Sequence, residues 1–275
     1  ISFGASNTKF RGMDVLEFPA LPPVSGEISG SIAAPIFRDL VKQIAFAAAT
    51  DEVRPVFSGV LMDITEDCFV MVATDTHRLA KTEGSWQTDG EKDSNAKVII
   101  PARTMMELAR LANDDNEKVQ MKIGKNQIIF QIGSIVFVSR LINGQYPPYR
   151  DVIPKDSAFH SFAKIDTKRF RQEMERASVF ARSVNNLVKF IFSENSLQIM
   201  AAGQDIGEFK SRFNIDYQGE ELSIAYNIRY IMDILKIMDS EQFMMKLTGP
   251  MSPAVIIPEK EENEYLYLLL PVRIS

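Results

Sequence analysis

Cysteine occurs once in the 275 residues, as Cys68, so the chain builds neither an internal disulfide nor a cysteine-rich zinc site, which fits a reducing, cytoplasmic setting. Histidine is nearly as scarce. Only His77 and His160 are on hand for metal ligation or acid–base chemistry, and no His/Cys/Asp/Glu cluster has metal-ligand spacing. The longest apolar stretches, residues 44–49 and 266–272, fall far short of the roughly 18 residues of a membrane-spanning helix. There is no glycine-rich phosphate loop and no Gly-x-Ser-x-Gly elbow. The opening from Ile1 lacks a Lys/Arg-led apolar stretch, so no secretory signal is expected, and the missing initial Met points to an upstream portion. What remains is ordinary packing material, 45% hydrophobic and 24% charged with 18 Phe. At roughly 150 residues per domain, two domains are expected.

Self-similarity sets the organisation. The first unit opens with Pro35 and apolar residues at Ile36, Phe37, Leu40, Val41 and Ile44, the spacing of a helix with proline in its first turn. Strand-like runs follow at 57–64 and 68–74, then a polar, acidic loop at 85–95 and a strand at 97–100. A helix after Pro101 and strands at 119–123, 127–132 and 135–141 complete it. The second unit repeats the order: helix 167–180, strands 187–192, 197–202 and 208–217, helix 227–238, strands 243–247, 254–257 and 265–274. Lys122 and Lys246 sit in matching strands about 124 positions apart, and the opening helices are about 131 apart. Residues 9–24 echo 136–152 in strand, turn and proline-rich exit, so residues 1–25 are expected to end an earlier copy; an unrelated N-terminal hairpin is the alternative. The proline-rich segments 19–23 and 147–154 read as stiff linkers.

The net charge of −5 weighs against a nucleic-acid partner only if charge is evenly spread. It is not. The four helical segments, 34–49, 101–112, 166–182 and 227–239, hold 11 Lys/Arg against 7 Asp/Glu, and the rest holds 20 against 29. Helices gathered on one face would make a basic surface on an acidic molecule, able to meet phosphates. The competing reading is a solvated face with internal partners, Arg103 with Glu107 for example.

The sharpest local string runs Met71-Val72-Ala73-Thr74-Asp75-Thr76-His77-Arg78-Leu79-Ala80. One reading has Asp75 orienting His77 as a general base; the other has Asp75 capping a turn. Taken with Val56-Phe57-Ser58-Gly59-Val60, Gly144-Gln145-Tyr146-Pro147-Pro148-Tyr149-Arg150-Asp151-Val152-Ile153-Pro154, Glu194-Asn195-Ser196-Leu197, Tyr226-Asn227-Ile228-Arg229-Tyr230, Ser252-Pro253-Ala254 and Leu270-Pro271-Val272-Arg273-Ile274, it resembles the bacterial beta sliding clamp family, the processivity subunit of DNA polymerase III. These strings run in order along nearly the whole chain.

The resemblance implies an α+β DNA clamp fold of repeated clamp domains, each with two helices packed on antiparallel sheets and helices lining the inner face of a ring. The expected division is 1–25 as the tail of a truncated first domain, 26–154 as the second and 155–275 as the third. It further implies a cytoplasmic, non-enzymatic homodimer that encircles duplex DNA, without cofactor, metal or catalytic residue. Closure of that ring would need the missing first domain. Phosphate contacts carry no sequence information, as sliding requires, and Arg38, Lys42, Arg103, Arg110, Lys168, Arg171, Arg176 and Arg229 are the candidates for them. A peptide groove is implied as well, serving the DNA polymerase III alpha subunit, the clamp loader and repair polymerases. Carried over by position, its walls are Phe57, Thr74, His77, Arg78, Leu79, Pro147, Val152, Ser252, Leu268, Leu270, Pro271, Val272, Arg273 and Ile274. Apolar walls would take Leu or Phe anchors while Arg78 and Arg273 fix polar atoms. The alternatives are a clamp-like interaction module not loaded on DNA and an enzyme using Asp75 and His77. Asp151 and the Leu270-Pro271-Val272 string depart from residues frequent in the family, which puts partner affinity in question.

Overall fold

The computed structural model describes residues 1–17, 28–51, 53–88, 95–115, 117–183, 185–203, 206–259 and 264–273. The proline-rich stretch 19–23 and Ile274 lie outside the described residues.

Each unit enters a helix directly from a strand. Strand Ile28–Ala33 leads into α1 (Ala34–Ile44), which carries Pro35 in its first turn and buries Phe37, Leu40, Val41 and Ile44 along one stripe. Helix α2 (Ala102–Leu111) buries Met105, Leu108 and Ala109 in the same way. In the second unit strand Ser161–Asp166 runs into α3 (Thr167–Ala181), where the Asp166 carboxylate accepts the Arg169 N–H as an N-cap. Asn227 caps α4 (Ile228–Ile237) likewise. Neighbouring contacts run α2 to α1, α1 to α4 and α4 to α3, so the four helices form one continuous layer.

The sheets are antiparallel throughout, and the largest joins the two units. Its nine strands run in the order Asp216–Gln218, Ser161–Asp166, Gln242–Leu247, Ala254–Pro258, Leu266–Leu269, Arg78–Ser85, Cys68–Thr74, Gly59–Thr65 and Ala96–Pro101. The seam lies between Leu266–Leu269 and Arg78–Ser85, with Tyr267 opposite Ala80 and Leu268 opposite Leu79. Side chains alternate across it. Ala80, Tyr267 and Leu269 join the main core under the helices, while Leu79 and Leu268 join a second, smaller apolar cluster on the opposite face. Two further sheets complete the fold, one ending at strand Ile135–Arg140 and one at strand Gly207–Asn214.

Several strands differ from the periodicity reading. The run expected at 208–217 splits at Ile215 because its halves serve different sheets: Gly207–Asn214 pairs with Ser196–Gly203, and Asp216–Gln218 with Ser161–Asp166. The strand expected at 265–274 stops at Leu269, since the Leu270 N–H turns to the His77 carbonyl and Pro271 has no N–H to give. The run expected from residue 57 starts with a 3-10 turn, Pro55–Ser58, before strand Gly59–Thr65. Strand Arg78–Ser85 was not expected at all. Its Gly84 is dictated by packing, because a Cβ there would stand 2.7 Å from Phe69 and 2.8 Å from Leu40.

Candidate functional site

The site grows from the tight turn that starts the seam strand. Thr74 Oγ1 donates to the Arg78 carbonyl at 2.6 Å and accepts the Thr76 N–H at 3.1 Å. Asp75 Oδ1 accepts the backbone N–H groups of His77 and Arg78 at 2.9 and 3.1 Å. Thr76 takes the left-handed conformation, φ 79°, that this closure demands. The turn delivers Arg78 into the joint between the units. Its Nε donates to Asp75 Oδ2 at 3.0 Å, Nη1 to Asp233 of α4 at 2.7 Å, and Nη2 to the Phe46 carbonyl at 2.9 Å. The guanidinium also stacks over Tyr230, 4.6 Å from the ring centroid. Burial alone would lower its pKa, but Tyr267, Asp233 and Asp75 outweigh that and raise it, so the charge is firmly held.

These partners revise two expectations. Every nitrogen of Arg78 is engaged inside the protein, so this residue supplies the floor of a cavity rather than a free donor for a bound peptide. Asp75 has spent both oxygens on the turn and on Arg78, and the His77 ring stacks on Tyr230, 6.2 Å between centroids. The geometry builds a turn cap, not the acid–base pair that an enzyme using Asp75 and His77 would need.

Above this floor, on the face away from the helices, a cavity of about 260 Å³ opens at the seam. Eight of the expected groove residues line it: Phe57, Thr74, Arg78, Leu79, Pro147, Val152, Leu268 and Leu270. Thr76, Pro148, Tyr149 and Asp151 complete the wall. Tyr149 is held by the small outer cluster with Leu61, Val72, Ile99 and Phe159. His77, Ser252, Pro271, Val272 and Arg273 stand outside this lining, and the Val272 N–H is bound to the Ala225 carbonyl. The four added residues sit beside residues already singled out, in strings 71–80 and 144–154. Only their direction, set by the 3-10 turn Tyr149–Asp151, was hidden from the sequence.

The helix layer sorts its cations. Arg103, Lys168 and Arg229 are exposed. Lys42 stands 3.8 Å from Asp39, and Arg110 pairs with Glu107 at 2.9 Å, the partner expected for Arg103. Arg38 donates to the Ala112 carbonyl and Asp115, both at 3.2 Å. Arg171 is committed to the end of α4, donating to the carbonyls of Leu235 and Met238 at 2.7 and 2.9 Å. Arg169 and Arg176 converge on one oxygen of Glu173, a carboxylate only 1% exposed. Sequence reasoning passed over Arg169 and Glu173, whose i,i+4 spacing was the available signal.

A fold of repeated α+β units fused through one sheet, with a helix layer on one side and an apolar cavity at the fusion on the other, defines a modular docking protein of the clamp type. Comparison with known proteins gives the particular family. The family described as DNA polymerase III beta subunit, central domain, matches residues 31–148, and its C-terminal domain matches residues 150–273. The beta sliding clamp of Bacillus subtilis is 32% identical over 276 residues, covering 99% of this chain and 72% of the relative. That of Staphylococcus epidermidis is 31% identical over 275 residues, covering 99% and 71%. The solved DNA polymerase sliding clamp from B. subtilis superposes with a TM-score of 0.90 at 30% identity, over 99% of this chain and 71% of that one. The chain belongs to the beta sliding clamp family, the beta subunit of DNA polymerase III.

Proposed function

We propose that this protein is a non-enzymatic processivity clamp of bacterial DNA replication: a ring that encircles duplex DNA and docks the polymerase, the clamp loader and repair polymerases by short peptides. One observation carries the reading, the apolar cavity set into the seam between two units on the face opposite the helices. Partners held there stay clear of whatever the helix layer faces. Burial of one Leu or Phe anchor contributes about 1.5–3 kcal/mol, enough for specific yet exchangeable docking.

In this reading residues 26–154 and 155–275 are two clamp domains and 1–25 the end of another. The repeat also says where the ring continues. Within the chain, the last strand of one unit, Leu266–Leu269, pairs with Arg78–Ser85 of the other. The corresponding strands, Ile135–Arg140 and Gly207–Asn214, each end a sheet among the described residues and are the edges for the same pairing with further units. Exposed Arg103, Lys168 and Arg229 meet phosphates without reading bases. The site of action is the cell interior, and among the described residues no helix is long and apolar enough to cross a membrane.

Loading onto nicked circular duplex by a clamp loader and ATP tests this function. The clamp is expected to co-elute with the circle and to be lost when the circle is linearised. Retention that linearisation leaves unchanged would mean ordinary charge binding and would contradict encirclement.

A further inference from the structure

A second, larger cavity of about 650 Å³ adjoins the seam cavity, and the two share Pro147, Pro148, Tyr149 and Asp151 as a common wall. Tyr149 is 6% exposed, yet its hydroxyl is buried without a hydrogen-bond partner. An unpaired buried hydroxyl is costly, and a bound group that pairs it recovers that cost. The larger cavity also holds Lys97 and Arg150. Both reach the same oxygen of the buried Asp63, at 3.2 and 3.5 Å, and both remain largely exposed. Two cations thus share one carboxylate oxygen, leaving N–H donors turned to solvent.

From this arrangement we infer that the larger cavity is a second subsite for the docked peptide, taking an acidic side chain that flanks the apolar anchors. The inference rests on the docking reading above and extends it to the partner's sequence. A carboxylate in the smaller cavity would face Asp151 with only Arg78 for company, and Arg78 is already engaged by Asp75 and Asp233. Across the shared wall it meets the Tyr149 O–H together with the spare donors of Lys97 and Arg150, which offset Asp63 and Asp151. The apolar anchors supply affinity in one chamber, and the acidic residue adds selectivity in the other.

The test is an anisotropy titration of the full chain with three kinds of labelled peptide: Leu/Phe anchors alone, anchors extended by glutamate at either end, and the glutamine counterparts. One glutamate extension is expected to bind about 5-fold or more tighter than its glutamine counterpart, on the scale of one charge-assisted hydrogen bond. The gain should shrink with salt. Tyr149→Phe, which keeps the ring packed, and Arg150→Ala, which leaves Lys97 on Asp63, should each cut it. Equal affinity for all three peptides overturns the subsite and leaves anchor docking standing. A gain untouched by both variants places the contact elsewhere and overturns it too. If no peptide binds the folded chain, the docking reading falls and takes the subsite with it.

Discussion

Arg78 Nη1 lies 2.7 Å from Asp233 Oδ2, an ion pair between the seam strand of one unit and helix α4 of the other. The same guanidinium floors the docking cavity, so the contact that holds the units together also shapes the site between them. With the Arg78 side chain 9% exposed, losing it strands two carboxylates in a poorly solvated joint. Arg78→Ala is expected to destabilise the chain by about 3 kcal/mol. Asp233→Asn, at a more exposed position, should cost about 1 kcal/mol. Urea melts read both, and equal costs for the two would contradict the ranking.

The turn itself makes a second prediction. Thr76 is β-branched and sits at φ 79°, where only glycine is free of strain. Thr76→Gly should raise stability by about 0.5–1 kcal/mol, strain relief outweighing the entropy of the more flexible unfolded chain. A drop in thermal midpoint would show that the Thr76 side chain supports the turn by contacts that outweigh its backbone strain.

A third prediction separates the cations of the helix layer. Arg103→Glu and Lys168→Glu change exposed side chains and should lower duplex affinity with little effect on folding. Each lost phosphate contact should shallow the salt dependence of log K by about 0.9. Arg171→Gln should behave oppositely, costing about 1–2 kcal/mol of stability, because the wild-type guanidinium ties down two carbonyls at the end of α4. A DNA-binding defect without a stability loss in Arg171→Gln would return that residue to the DNA contacts.

The four helices were legible in the sequence because each shows its core as a 3.6-residue stripe, and Phe37, Leu40, Val41 and Ile44 need no partner's coordinates to be read. The shared sheet was not. Strand Arg78–Ser85 carries Lys81, Thr82, Glu83 and Gly84, a composition that hides a strand, and it is stabilised by neighbours on both edges, one of them about 185 residues away. Eight cavity residues were legible through a family resemblance, whereas the commitment of Arg78 to Asp233 was not, because an ion pair across 155 positions leaves no local pattern. Basic helices were visible as a count, and the partners that tie up Arg38, Arg171 and Arg176 were visible only in three dimensions.

Placement of the docking site is the central claim, and its most direct measurement is an anisotropy titration with a Leu/Phe-anchor peptide. Leu79, at 2% exposure, is part of the sheet seam, so a charge there would strike folding as well as binding. Val152 lines the same cavity at 52% exposure and isolates the binding effect. Wild type should bind saturably, and Val152→Asp should bind at least about 10-fold more weakly with an unchanged melting temperature, since a charge enters an apolar wall. Equal affinity in the two proteins, or no binding by folded wild type, would contradict the placement of the site at the seam.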